Sequence, residues 1–126
     1  MAEYVHPDNF DAALNNIKNN ATRLTVCTTQ PTTYTEGNAT FALADITIDS
    51  ADFTGPAAGD VAGGRKLTVG AQAGVLIDTS GTALHVALLD VANTKLLHVA
   101  TCTSQALVAN GSNTVNVPAY DIELDP

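Results

Sequence analysis

The chain has 126 residues, 45% of them apolar, no tryptophan, and a formal charge of −8 from thirteen acids against five bases. That length suits a single domain, 1–126, with one core built from Leu, Val, Ile and Ala. Nucleic-acid binding leaves a basic stripe, and the only adjacent basic pair is Arg65-Lys66, so a nucleic-acid partner is excluded. An anionic membrane surface is disfavoured for the same reason, and no run of 18 apolar residues is present to span a bilayer.

Met1 to Val5 lacks a basic region followed by an apolar one, so no secretion signal is expected there. The N-x-S/T sequons at Asn20, Asn38 and Asn110 are then incidental. Residues 6–21 are predicted to be helical. Pro7 suits a first turn, Asp8 suits the positive end of the helix dipole, and Phe10, Ala13, Leu14, Ile17 and Ala21 fall on one face. That face either closes a sheet or docks a partner, which makes Phe10 and Leu14 candidate interface residues.

Arg23 to Thr28 reads as the first strand, broken by Gln30-Pro31-Thr32-Thr33. Tyr34 to Ala39 suits a short turn or one helical turn, and Phe41 to Asp49 a second extended stretch. The segment 55–64, rich in Gly, Ala and Pro, is expected to be a flexible surface loop. It is no phosphate loop, because Gly64 leads to Arg65-Lys66-Leu67 and not to Gly-Lys-Ser/Thr. Strands follow at Lys66–Val69 and Gly74–Ile77, then a hairpin from Thr82–Asp90 and Lys95–Thr101, and a last strand at Thr114–Leu124. Pro118 predicts a bulge or an edge in that last strand. Turns every 8 to 12 residues or so indicate an antiparallel β-sandwich or barrel-like domain, with the short N-terminal helix packed on it.

Centring the hairpin between Ala92 and Asn93 places Asp90 opposite Lys95, Leu88 opposite Leu97 and Val86 opposite Val99. One face, expected to be the core face, then holds Leu84, Val86, Leu88, Leu97, Val99 and Thr101. The other holds His85, Ala87, Leu89, Leu96, His98 and Ala100, which is small and still largely apolar. A solvated face would be polar, so these six are a candidate interface, covered by the N-terminal helix or by another subunit. His85 and His98 share that face, but Ala and Leu flank them and no third ligand is in view, so no metal or cofactor is expected.

Cys27 and Cys102 lie in no CxxC and near no histidine in sequence, which reads as two free, buried thiols. No hydrolase, zinc-protease or dinucleotide motif is present. Asp45, Asp49 and Asp52 cluster without the EF-hand spacing. Asp121, Glu123 and Asp125 alternate with Ile122 and Leu124, as on a charged strand edge. The chain is therefore read as a protein that binds other proteins and not as an enzyme.

Several stretches resemble small structural proteins of tailed bacteriophages. They are His6-Pro7-Asp8 with the helix after it, Ala21 to Thr28, Gln30 to Tyr34, Gly64 to Val69, the hairpin Ala83 to Thr101, and Asn113 to Ile122. The resemblance implies a capsid decoration or cement protein that binds and stabilises the phage head. Its partner would be the major capsid protein and it would form a homo-oligomer, a dimer or trimer. It would sit on the outer capsid surface after assembly in the host cytoplasm. The alternative it leaves open is a fibre or tail component acting as a receptor- or glycan-binding module.

Overall fold

In the computed structural model, which describes residues 3–126, the chain opens with helix α1, Pro7–Asn20. Pro7 takes the first turn, where a missing N–H costs nothing, and His6 Nδ1 accepts the Asp8 N–H at 3.1 Å. Leu14 is fully buried, with Ile17 packed beside the same core. Two polar contacts hold the helix to the sheet beneath it. The Arg65 guanidinium donates to both carboxylate oxygens of Asp11, at 2.7 and 3.2 Å. Lys18 Nζ donates to the Gly55 carbonyl at 3.0 Å. Among the described residues, no helix is long and apolar enough to cross a membrane.

Nine strands follow among the described residues: β1 Arg23–Cys27, β2 Ala42–Thr47, β3 Phe53–Ala58, β4 Arg65–Val69, β5 Gln72–Leu76, β6 Gly81–Asp90, β7 Lys95–Leu107, β8 Thr114–Val117 and β9 Tyr120–Leu124. All pair antiparallel, in the orders β2-β1-β6-β7, β3-β4-β9 and β5-β8. A bridge between Ala44 and Ile77 joins β2 to β5, and the N–H groups of Asp78 and Thr79 both donate to the Leu43 carbonyl. The wall therefore runs β8-β5-β2-β1-β6-β7, like a barrel left open at a seam between β7 and β8. Leu24, Val26, Val86 and Leu88 belong to one core with Leu14, Leu67, Val69 and Ile122. Each fully buried Leu or Val contributes about 1.5–3 kcal/mol relative to exposure. The protein is thus mainly antiparallel β, with its helix packed on the sheets, as the turn spacing predicts.

Three details depart from the sequence reading. The expected loop 55–64 is shorter, because β3 continues to Ala58 and pairs with β4 from Phe53↔Val69 to Ala58↔Arg65. Ladder bonds to a neighbouring strand outweigh the weak strand preference of Gly-Pro-Ala-Ala. The turn that remains is tied down by the Gly59 N–H to the Gly64 carbonyl at 2.9 Å, and by the Glu123 carboxylate, which accepts from the N–H groups of Asp60 and Val61.

The expected single strand 114–124 is two strands. The chain leaves one sheet at Pro118-Ala119 and enters another, so β8 pairs with β5 while β9 pairs with β4. Proline has no N–H for a ladder, and the chain uses that interruption to change sheets.

The hairpin keeps its expected mouth, Asp90↔Lys95 and Leu89↔Leu96, and then slips. Leu88 pairs with His98, Ala87 with Val99 and Val86 with Ala100. Leu97 is the extra residue of a β-bulge. Because side chains alternate, one inserted residue moves everything beyond it to the other face. His98 and Ala100 therefore share a face with Leu88 and Val86, and not with His85, Ala87, Leu89 and Leu96. The two histidines lie on opposite faces.

The outer face of this sheet is covered, but not by α1. Thr25, Cys27, Ala87 and Leu89 are all fully buried. The segment from Pro31 to Phe41 lies over them, ending in a π-helical turn, Glu36–Thr40. A β-carbon on Gly37 would stand 3.2 Å from Leu89 Cδ2 and 3.3 Å from Leu96 Cδ1, so the backbone of the turn seats closely on these two side chains and leaves room for little more than a glycine. Cys27 Sγ donates to the Gly37 carbonyl at 3.7 Å and Arg23 Nη1 to Asn38 Oδ1 at 2.6 Å. Glu36 secures the entry to the turn by accepting from both the N–H and the hydroxyl of Thr32 at 2.9 Å.

Candidate functional site

The seam between β7 and β8 is a half-open groove of about 380 Å3. Its floor is Val26, Ala83 and Val86; its walls are Ala100 to Thr103 and Gln105 on β7, and Val115 to Pro118 with Tyr120 on β8 and β9. The strand pattern explains the lining. Val115 and Val117 alternate inward on β8 while Thr114 and Asn116 face out. On β7 a second irregularity, of two residues, lies between the pairs Ala83↔Gln105 and His85↔Thr101, so Cys102 to Ser104 leave the regular ladder beside the opening.

No lining residue carries a formal charge. From Val91 to Tyr120 the chain contains no Asp or Glu, and Lys95 is its one Lys or Arg. All thirteen acids therefore lie outside the stretch that builds β7, β8 and most of the groove. A cavity of this volume falls within the range of ligand sites, but its polar groups are hydroxyls, amides and a thiol.

Burial sets the protonation of the groups around it. The Tyr120 hydroxyl is enclosed without a hydrogen-bond partner, and desolvation raises its pKa well above the ordinary phenol value. Desolvation also raises the pKa of the half-buried Cys102 thiol, keeping it protonated at neutral pH. That is the reverse of what a nucleophilic cysteine needs. Cys27 is raised too, mainly by burial, against a lowering contact from Thr25. Both thiols are free. His98 is pushed below the usual imidazole value by burial, and Nδ1 of both His85 and His98 is enclosed without a partner.

The residues singled out from the sequence do not form one surface. Ala87 and Leu89 are fully buried under the 31–41 segment, and Leu14 is fully buried under the helix, so none is available to a partner. His85 and Leu96 are half-buried on the outer face, His98 and Ala100 are half-buried on the other, and Phe10 is half-buried on the helix. Of the set only Ala100 lines the groove. The groove itself escapes the sequence reading because the hairpin is expected to end at Thr101, whereas β7 runs on to Leu107.

The acids serve local structure. Asp49 and Asp52 cap the 3-10 turn Ser50–Asp52 reciprocally, with Asp49 Oδ1 accepting from the Ala51 N–H at 2.8 Å and Asp52 Oδ2 from the Asp49 N–H at 2.9 Å. Asp121 accepts from the Thr68 hydroxyl at 2.7 Å. Lys66 reaches Asp60 at 3.4 Å and Asp121 at 3.7 Å, and these carboxylates raise its pKa. Among the described residues, no three His, Cys, Asp or Glu side chains gather as a metal site would require.

Comparison with known proteins yields no family model that matches the chain, and neither the curated proteins nor the solved structures give a significant match.

Proposed function

We propose that this chain is a structural protein that acts by being held against other proteins, and specifically a decoration or cement protein of a tailed-phage head. The observation that carries the reading is the separation of charge. Thirteen acids lie outside Val91–Tyr120, while the stretch that forms β7, β8 and most of the groove has none. A decorating protein needs a surface that sheds ordered water and accepts a neighbour, and a remainder that stays solvated. The resemblance to small virion proteins points to the major capsid protein as that neighbour and to the outer capsid surface as the location. Contacts that exist only on the assembled shell would then stabilise it by mass action.

Mixing the purified chain with phage heads stripped of decoration, followed by sedimentation, tests this. Saturable co-sedimentation and a raised temperature of head disruption are expected; a chain that stays in the supernatant at every ratio overturns the reading. The rival, a fibre or tail module reading a receptor or glycan, has one feature in its favour. The Tyr4 ring is 80% exposed, and aromatic rings are common at recognition surfaces. Specific binding on a glycan array would favour the rival.

A further inference from the structure

Of the three N-x-S/T sequons, one carries a chemistry of its own. Ten asparagines occur in the chain, and only Asn110 is followed by glycine. The pair lies in the exposed turn between β7 and β8. There Oδ1 of Asn110 accepts three hydrogen bonds, from the Ser112 N–H at 3.0 Å, the Ser112 hydroxyl at 3.2 Å and the Asn113 N–H at 2.8 Å. These bonds curl the side chain back over the Gly111 peptide, as in an Asx turn. Neither the Gly111 N–H nor the Asn110 amide nitrogen makes a hydrogen bond among the described residues. Gly111 has a φ of 86°, and a β-carbon built on it would meet nothing within 4 Å, so no other segment crowds the turn.

We propose that Asn110 is a site of spontaneous deamidation, with the Gly111 nitrogen as the nucleophile. Hydroxide removes the Gly111 N–H proton, and the nitrogen attacks Cγ of Asn110. The new C–N bond closes a succinimide ring. The Cγ–Nδ2 bond breaks, and Nδ2 takes a proton from water and leaves as ammonia. Water then opens the ring. Attack at Cγ leaves aspartate at position 110, and attack at the main-chain carbonyl leaves isoaspartate. Water is consumed and ammonia released in equal amounts, with no change of oxidation state. Negative charge builds on Oδ1 as the tetrahedral centre forms, and the three donors already aimed at that oxygen stabilise it. Glycine puts no side chain beside the attacking atom. The other two sequons lack these conditions. After Asn20, the Ala21 N–H is tied to the Ile17 carbonyl at 2.9 Å. Asn38 precedes Ala39 inside the π-helical turn, and its Oδ1 is held by Arg23. The chemistry needs only water and hydroxide, so it is independent of what the chain binds. Its product places the first carboxylate between Val91 and Tyr120, a stretch that otherwise has no Asp or Glu.

Incubating the purified, folded chain at mildly alkaline pH, and following its peptides by mass spectrometry, tests the proposal. The peptide holding Asn110 should gain the mass that separates a carboxyl from an amide, as a mixture of aspartate and isoaspartate. Peptides holding Asn20, Asn38 and Asn93 should stay unchanged over the same period. The rate should rise in proportion to hydroxide, and ammonia should appear in equal amount. Gly111→Ala should slow the reaction roughly tenfold, because a β-carbon then stands beside the nucleophile. Asn110→Gln should stop it on this timescale, because its longer side chain closes a less favourable ring. A folded chain that keeps Asn110 intact while the urea-unfolded chain loses it overturns the proposal, since the turn would then be protecting the amide. Earlier conversion of any other asparagine overturns it too, as does a Gly111→Ala rate equal to that of the wild type.

Discussion

Leu88 stands directly across from His98 in the β6–β7 ladder. The bulge at Leu97 creates that pairing and turns an imidazole toward the face that Leu88 and Val86 share with the core. Burial then disfavours the imidazolium and lowers the pKa below the usual 6.5. The folded state therefore holds its proton less tightly than the unfolded chain.

The first prediction follows from that difference. Above the unfolded value both states are neutral at His98 and the residue adds no pH dependence. As pH falls below it, the unfolded chain takes up a proton that the folded chain refuses, and stability is lost. The melting temperature should fall between pH values of about 7.5 and 5.5, and His98→Leu should flatten the fall. Glu36 and Asp90 act in a separate, lower window. Hydrogen bonds from Thr32 and Asn93 lower their pKa values from the ordinary 4.5 and 3.8, so their contribution is lost only as pH drops below those values. A profile for His98→Leu that matches the wild type would show that the imidazole does not titrate differently on folding.

The second concerns the core. Leu88 is fully buried, so Leu88→Ala should destabilise by about 2–5 kcal/mol in urea unfolding. Leu88→Asp places an unpaired charge in the same space, at a cost of several kcal/mol or more, and should leave the chain unfolded. A soluble Leu88→Asp protein with the wild-type melting temperature would contradict the inward assignment.

The third concerns the cover over the outer face. Gly37 is packed against Leu89 and Leu96, the tips of which can shift by a few tenths of an ångström. Gly37→Ala should therefore be nearly tolerated. Gly37→Val should cost about 1–3 kcal/mol through overpacking, and should increase amide exchange from Pro31 to Phe41 more than elsewhere. Equal stability of the two variants would mean that this segment does not seat on the sheet as described.

The fourth concerns the thiols. Cys27 is buried and Cys102 half-buried, and desolvation raises both pKa values. An alkylating reagent should label Cys102 slowly at neutral pH, faster at alkaline pH, and Cys27 only after denaturation. Mass spectrometry of the native protein should show one adduct; two at the same rate would place Cys27 on the surface.

Much of the fold was legible from local signals. Helix 6–21 is marked by Pro7, Asp8 and the spacing of Phe10, Leu14 and Ile17, and the structure places it at Pro7–Asn20. The hairpin mouth is marked by the Asp90–Lys95 pair, and that pairing holds. The candidate interface was less legible. A bulge has no signature in Lys95-Leu96-Leu97-His98-Val99, because any of these residues can be the unpaired one. A one-residue slip reverses the faces of all that follows, so His98 and Ala100 parted from the residues they were grouped with. The cover on Leu89 was missed for a related reason. Pro31-Thr32-Thr33 reads as a strand breaker, and nothing local says that the broken segment folds back across the sheet.

What the sequence determined by itself was the antiparallel β class, the single helix at the front, and the confinement of every acid to residues outside Val91–Tyr120. These depend on periodicity, turn residues and charge, which are properties of neighbours in the chain. The tertiary structure alone decided the bulge at Leu97, the change of sheet at Pro118, and the seam that brings Ala100–Gln105 to face Val115–Tyr120. Those features arise from contacts between distant segments, where pairing and packing energies override local preference.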